Sequence, residues 1–156
     1  MPVYSLEIDD FSDNDYALIG IHTTLEDYKL AFFLNQHLKT NFKRASYNLD
    51  FENKNYNSSF AVYENKNASQ HFDWYLISNV FKTKIQSNTA GLFPESDTKV
   101  YLIPEKKRVD FFIKIDGEFD YEYIVKTVEA INKLPQVITS YSIETNTLKS
   151  KESLIF

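Results

Sequence analysis

Apolar residues recur at three- and four-residue spacing in two stretches of this chain. Through most of the remainder they fall at every second position or in short runs. This division constrains the fold most, because a period of 3.6 belongs to helices and a period of two to strands. In the first helical stretch Leu25, Tyr28 and Phe32 line up, with Ala31, Leu34 and Leu38 one row over. Thr24 offers an oxygen to cap its start, Glu26 and Asp27 suit the positive end of the helix dipole, and Asn41 marks a stop. The second stretch begins near Asp120 and carries Ile124, Val125, Val128, Ile131 and Leu134 on one face. Pro135, which has no N–H to donate, ends it.

Residues 16–21 form an apolar run of strand length. Phe42, Ala45, Tyr47 and Leu49, then Phe60 and Val62, then Phe72, Trp74 and Leu76 read as three strands separated by polar turns at 53–58 and 64–67. Residues 100–103 and 109–115 read as a basic hairpin about the turn at 104–107, and 137–143 as a closing strand. Residues 1–14 are expected to be an edge strand or arm, 84–98 a long loop pinned by Leu92 and Phe93, and 149–156 a docked, apolar-ending tail. The order predicts a single domain over 1–156 of the α+β class. It would be one mostly antiparallel sheet with two helices packed on one face, parallel pairs at its flanks, and the opposite face left free.

At 156 residues, with 43% hydrophobic and 25% charged residues, the chain can bury a core without cross-links. It has no cysteine, which excludes disulfides, thiolate catalysis and cysteine-ligated metals. Met1 runs into Glu7, Asp9, Asp10, Asp13 and Asp15 rather than a basic start and an apolar run, and no stretch is long enough to span a bilayer. The expected location is cytoplasmic, with no membrane partner. The net charge of −5 weighs against nucleic acid.

Recognisable chemistry is sparse. His22, His37 and His71 lack the helical spacing of a metal site, although Asp73 neighbours His71. With Gly20, Gly91 and Gly117 as the only glycines there is no phosphate-cradling loop, and no nucleophile elbow occurs. The sequence therefore predicts no catalytic residue, metal or cofactor.

The stretch 103–111 reads Ile-Pro-Glu-Lys-Lys-Arg-Val-Asp-Phe. It resembles the signature of the IPExxxVDY family of small uncharacterised proteins of Bacteroidota, with Phe111 in place of the terminal tyrosine. The stretches 27–35, 74–79 and 148–151 also resemble family blocks, so the resemblance spans most of the chain. It implies a bacterial cytoplasmic protein and brings no activity, substrate or catalytic residue. In physical terms Ile103, Val109 and Phe111 are apolar anchors around a turn set by Pro104. Glu105 and Asp110 are turn acids that bond to local N–H groups or pair with Arg108.

Three functional readings follow. The leading one is a non-enzymatic interaction or regulatory module for another protein or a second copy. It rests on the missing chemistry and the tyrosine-rich strands, with Trp74, Tyr75, Phe93, Tyr101, Lys106, Lys107 and Arg108 as candidate contacts. The second is RNA binding by the basic hairpin 99–114, where Lys99, Lys106, Lys107, Arg108 and Lys114 interleave with Tyr101 and Phe112. The third is a small-molecule binder or hydrolase using Asp73, Glu105 and Asp110 with His71.

Overall fold

The computed structural model describes residues 16–54, 56–66, 72–85 and 96–156. The expected arm at 1–14, His71 and Phe93 lie outside the described residues. Among the described residues eight strands occur: β1 (Tyr16–Thr23), β2 (Lys43–Glu52), β3 (Asn57–Asn65), β4 (Phe72–Ser78), β5 (Val80–Ile85), β6 (Ser96–Tyr101), β7 (Phe111–Gly117) and β8 (Val137–Ile143). Helix α1 (Asp27–Leu38) follows β1, and α2 (Tyr121–Asn132) joins β7 to β8. The fold is α+β. Six strands form one sheet in the order β2-β3-β4-β7-β1-β8, and β5 and β6 form a separate two-stranded ribbon.

Every pairing among these strands is antiparallel, so the expected parallel pairs do not form. β7 and β8 run the same way, but β1 lies between them and pairs with both. β1 and β2 likewise run the same way, with β7, β4 and β3 between them. Each strand–helix–strand unit is thus split by antiparallel strands. The two crossovers travel in opposite directions from oppositely directed strands, so the right-handed rule places both helices on one face. Both do pack there, with Leu30, Ala31 and Leu34 of α1 and Ile124 and Ile131 of α2 covering Ile19, Ile21, Leu76, Ile113 and Ile115. Each fully buried leucine or isoleucine contributes about 1.5–3 kcal/mol relative to exposure.

Tyr28 and Phe32, expected on the buried stripe of the first helix, are each 54% exposed, because the row 30–31–34 faces the sheet instead. The cap also differs. Glu26 is the capping residue of α1 and makes no capping bond with its side chain, whereas the Thr23 hydroxyl accepts from Leu25 N.

The second face of the sheet is not free. Phe60, Val62, Ile77 and Phe112 pack under Leu102, Ile103, Leu148 and Leu154, with Phe81 and Val100 of the ribbon against them. The alternation of β3 and β7 carries large apolar residues on both faces, which requires two covers. The ribbon and the segment after β8, with its 3₁₀ turns Thr145–Thr147 and Lys151–Leu154, supply the second. The expected hairpin over 99–114 is absent for the same reason. β6 pairs with β5 and β7 pairs with β1 and β4, so 102–110 is a connection between two sheets, anchored by buried Leu102, Ile103 and Val109. Of the expected loop, residues 84–85 and 96–98 belong to β5 and β6, and 86–95 lie outside the described residues.

Candidate functional site

The stretch 103–111 is held by Asn79, a fully buried residue between β4 and β5. Its Nδ2 donates to the carbonyls of Lys106 (2.9 Å) and Val109 (2.7 Å), and its Oδ1 accepts from Ile103 N at 2.8 Å. Its backbone N–H donates to Asp110 O, and its own carbonyl accepts from Leu102 N. One side chain therefore satisfies the backbone at the buried anchors Ile103 and Val109 and at half-buried Lys106. Val109 lies against Gly20, where an added Cβ would stand 2.8 Å from Ile143 Cδ1 and 3.2 Å from Val109 Cγ2. The glycine allows this close approach.

The two acids of the stretch bond to distant backbone rather than to their own turn alone. Asp110 Oδ2 accepts from Thr23 N at 2.9 Å, fixing the path from β1 into α1. Glu105 Oε2 accepts from Lys149 N at 2.5 Å and Ser150 N at 2.8 Å, tying down the segment after β8. Burial pushes the Glu105 carboxyl up, but hydrogen bonds from its own N–H, from Ser150 and from Lys149 outweigh this and hold its pKa below the ordinary value. Neither acid forms an ion pair with Arg108, which is exposed.

Asp73, Glu105 and Asp110 do not converge. Asp73 faces Asp116 across β4 and β7, whereas Asp110 stands just before Phe111, the partner of Ser78. Six residues of strand separate the two positions, about 20 Å. The catalytic grouping considered for these carboxylates is not assembled.

Asp110, Lys107, Tyr101 and Phe111 instead meet at one end of the sheet, where β1 and β4 finish and β7 begins. They line a cleft of about 670 Å³ between the start of α1 and the ribbon. One wall carries Glu26 and Asp27. Asp27 is already engaged, accepting from the Tyr63 hydroxyl at 3.2 Å. Burial first, then the charge and hydrogen bond of Asp27, push the Tyr63 pKa up to about 12, so the phenol stays a donor at neutral pH. The other wall is basic. Lys82 and Lys99 are direct cross-strand partners in the ribbon, and the Lys107 ammonium lies 5.9 Å over the Tyr101 ring. Among the described residues Lys82, Lys99 and Lys107 meet no carboxylate within ion-pair distance. Like charges directly opposed across a ladder are destabilising.

The remaining predicted contacts are scattered. Trp74 is 4% exposed, in the helix-side core against Phe42 and Tyr123, and is not a surface contact. It alternates toward the helices because Phe72, Trp74 and Leu76 share one face of β4. Tyr75 is half-buried on the other face, beside Phe156. Lys114, predicted within a basic surface, is buried. Its Nζ donates to Leu154 O at 2.7 Å and lies 5.0 Å from Tyr16, 5.7 Å from Tyr75 and 4.4 Å from Phe156. Burial lowers its pKa, and Asp116 works against that.

Sequence reasoning places Lys82 and Lys84 near the basic cluster but does not show Lys82 opposite Lys99, and it misses Asn79 as a clamp. The like-charge register of Lys82 and Lys99 would have been visible only once β5 and β6 were paired. Asn79 gave no signal beyond its place in a family-like block.

Compared with protein-family models, with curated proteins and with solved structures, the chain matches none.

Proposed function

We propose that this chain is a non-enzymatic binding module of the IPExxxVDY family, working in the bacterial cytoplasm, that takes an acidic segment of a partner protein in the cleft between α1 and the ribbon. The observation that carries this reading is the opposed pair Lys82 and Lys99 beside Lys107 and Tyr101, three cations on one wall of the cleft, none within ion-pair distance of a carboxylate among the described residues. A carboxylate side chain placed between them would remove the repulsion and gain charge-assisted hydrogen bonds. The facing wall suits the backbone of a peptide, whose N–H groups can donate to Glu26 and to the lone pairs left on Asp27 and Asp110. Separation of Asp73, Glu105 and Asp110 supports a role without chemistry.

RNA is the second reading, favoured by the Lys107–Tyr101 stack. A phosphodiester chain carries a charge at every residue and would have to pass the acidic wall, which favours the peptide.

Selection of displayed random peptides on the purified chain tests the proposal. Enriched peptides are expected to carry Asp or Glu, and the double variant K82E/K99E is expected to bind them at least roughly tenfold more weakly, a loss of about 1.4 kcal/mol. Enriched peptides without acids, or unchanged binding by K82E/K99E, overturns it. Salt-dependent binding of a labelled single-stranded RNA, lost in the same variant, would transfer the cleft to the second reading.

A further inference from the structure

A second cavity, of about 580 Å³, lies on the helix side of the sheet, away from the ribbon. It opens between the C-terminal end of α1 and the outer part of α2, over the ends of β3 and β4. Its volume is in the range of small-molecule sites. Trp74, the chain's only tryptophan, contributes to its lining, and Leu38, Tyr123 and Ala130 supply further apolar surface.

The indole Nε1 is buried and has no hydrogen-bond partner among the described residues. Such a donor is rare in a folded interior and calls for an explanation. The Tyr123 ring packs edge-on to the indole with centroids 6.1 Å apart. Its hydroxyl is near enough to feel the N–H, which works against the burial that raises its pKa, but the two groups do not reach hydrogen-bond geometry. Tyr123 is only half-buried and belongs to the same cavity.

The charge at this cavity has one sign. Among the described residues Lys39, Lys66 and Lys126 line it, and no carboxylate does. Lys66 and Lys126 each hold an acid from outside the lining, Glu64 and Glu122, both at 3.3 Å. Lys39 holds none among the described residues. It is also the one described non-glycine residue with positive φ, at 57°, where it closes α1.

We infer that this cavity binds a small planar aromatic carboxylate, its ring against Trp74 and Tyr123 and its carboxylate at Lys39 and Lys126. The Tyr123 hydroxyl completes the site. It donates to the ligand oxygen and, in turning to do so, comes within reach of the indole N–H, so binding supplies the acceptor that Nε1 lacks. The arrangement is independent of the ribbon cleft and of any partner protein.

The single tryptophan makes the test direct, because one indole N–H signal appears in the proton–nitrogen correlation spectrum. Titration with naphthoate is expected to shift that signal downfield and saturably. Naphthamide, the neutral isostere, is expected to bind at least roughly tenfold more weakly, as is naphthoate to the exposed-site double variant K39E/K126E. Tyr123→Phe, which removes one hydroxyl from a half-buried ring, is expected to abolish the indole shift and weaken binding. Naphthoate binding that leaves the indole signal in place, equal affinity for the amide, or full affinity in K39E/K126E overturns the inference, as does no saturable binding to the unaltered chain.

Discussion

At the scale of single residues, asparagine side chains do the work of missing strand neighbours. Asn79 closes the 103–110 connection. Asn35 takes both backbone groups of Phe42 at the turn from α1 into β2, and Asn132 takes both backbone groups of Ser140, joining α2 to β8. Each offers a donor and an acceptor in one plane, as a peptide group does. Asn79 is the most consequential because two of its partners, Val109 O and Ile103 N, are buried. Asn79→Ala leaves the Val109 carbonyl and the Ile103 N–H without the partner shown, while Lys106 O keeps its bond from Val109 N, and unsatisfied buried groups cost about 1–3 kcal/mol each. The expected loss is about 2 kcal/mol or more, read as a lower midpoint in urea unfolding. A loss under about 1 kcal/mol would show that water can replace the amide.

At the scale of elements, the ribbon β5–β6 trades stability for charge. One face, with Phe81 and Val100, packs on the second core. The other carries Lys82 opposite Lys99. Lys99→Glu would turn a repulsive pair into an attractive one, worth about 0.2–1 kcal/mol on an exposed ladder. The expected outcome is a chain at least as stable to heat as the parent but weaker for acidic peptides. A destabilised K99E chain would mean that the lysine stem packs in a way its charge does not reveal.

At the scale of the whole molecule, the segment after β8 acts as a strap over the second face, held by Glu105 at one point and Lys114 at another. Both ends favour the folded chain more as pH rises, each in its own pH range. Glu105 has a folded pKa below its usual 4.5, so its contribution is complete above that value and is lost as pH falls through the folded pKa. Lys114 has a folded pKa below its usual 10.5, so its buried charge costs stability at neutral pH, and that cost is relieved as pH rises through the folded pKa. Acidification is therefore expected to loosen the strap at Glu105. The amide signals of Lys149 and Ser150 should titrate together below pH 4.5, and Glu105→Gln should remove that titration. Amides that do not move with pH would show that the carboxylate is not their anchor.

Local periodicity determined the elements. The helices near 27–38 and 121–132, the strands around Tyr16, Phe60, Trp74, Phe112 and Val137, and the α+β class were legible because each depends on residues a few positions apart. The alternation could not say which strands are neighbours, since pairing is a long-range choice. Hence β6 was joined to β7, the second cover was missed, and Lys114 was placed outside when its stem runs inward to Leu154. The sites are of the same kind. Lys82, Lys99 and Lys107 come from three segments, as do Lys39, Trp74 and Tyr123. Only packing that buries both faces of the sheet brings them together, because the hydrophobic gain belongs to the assembled layers and not to any one stretch of chain.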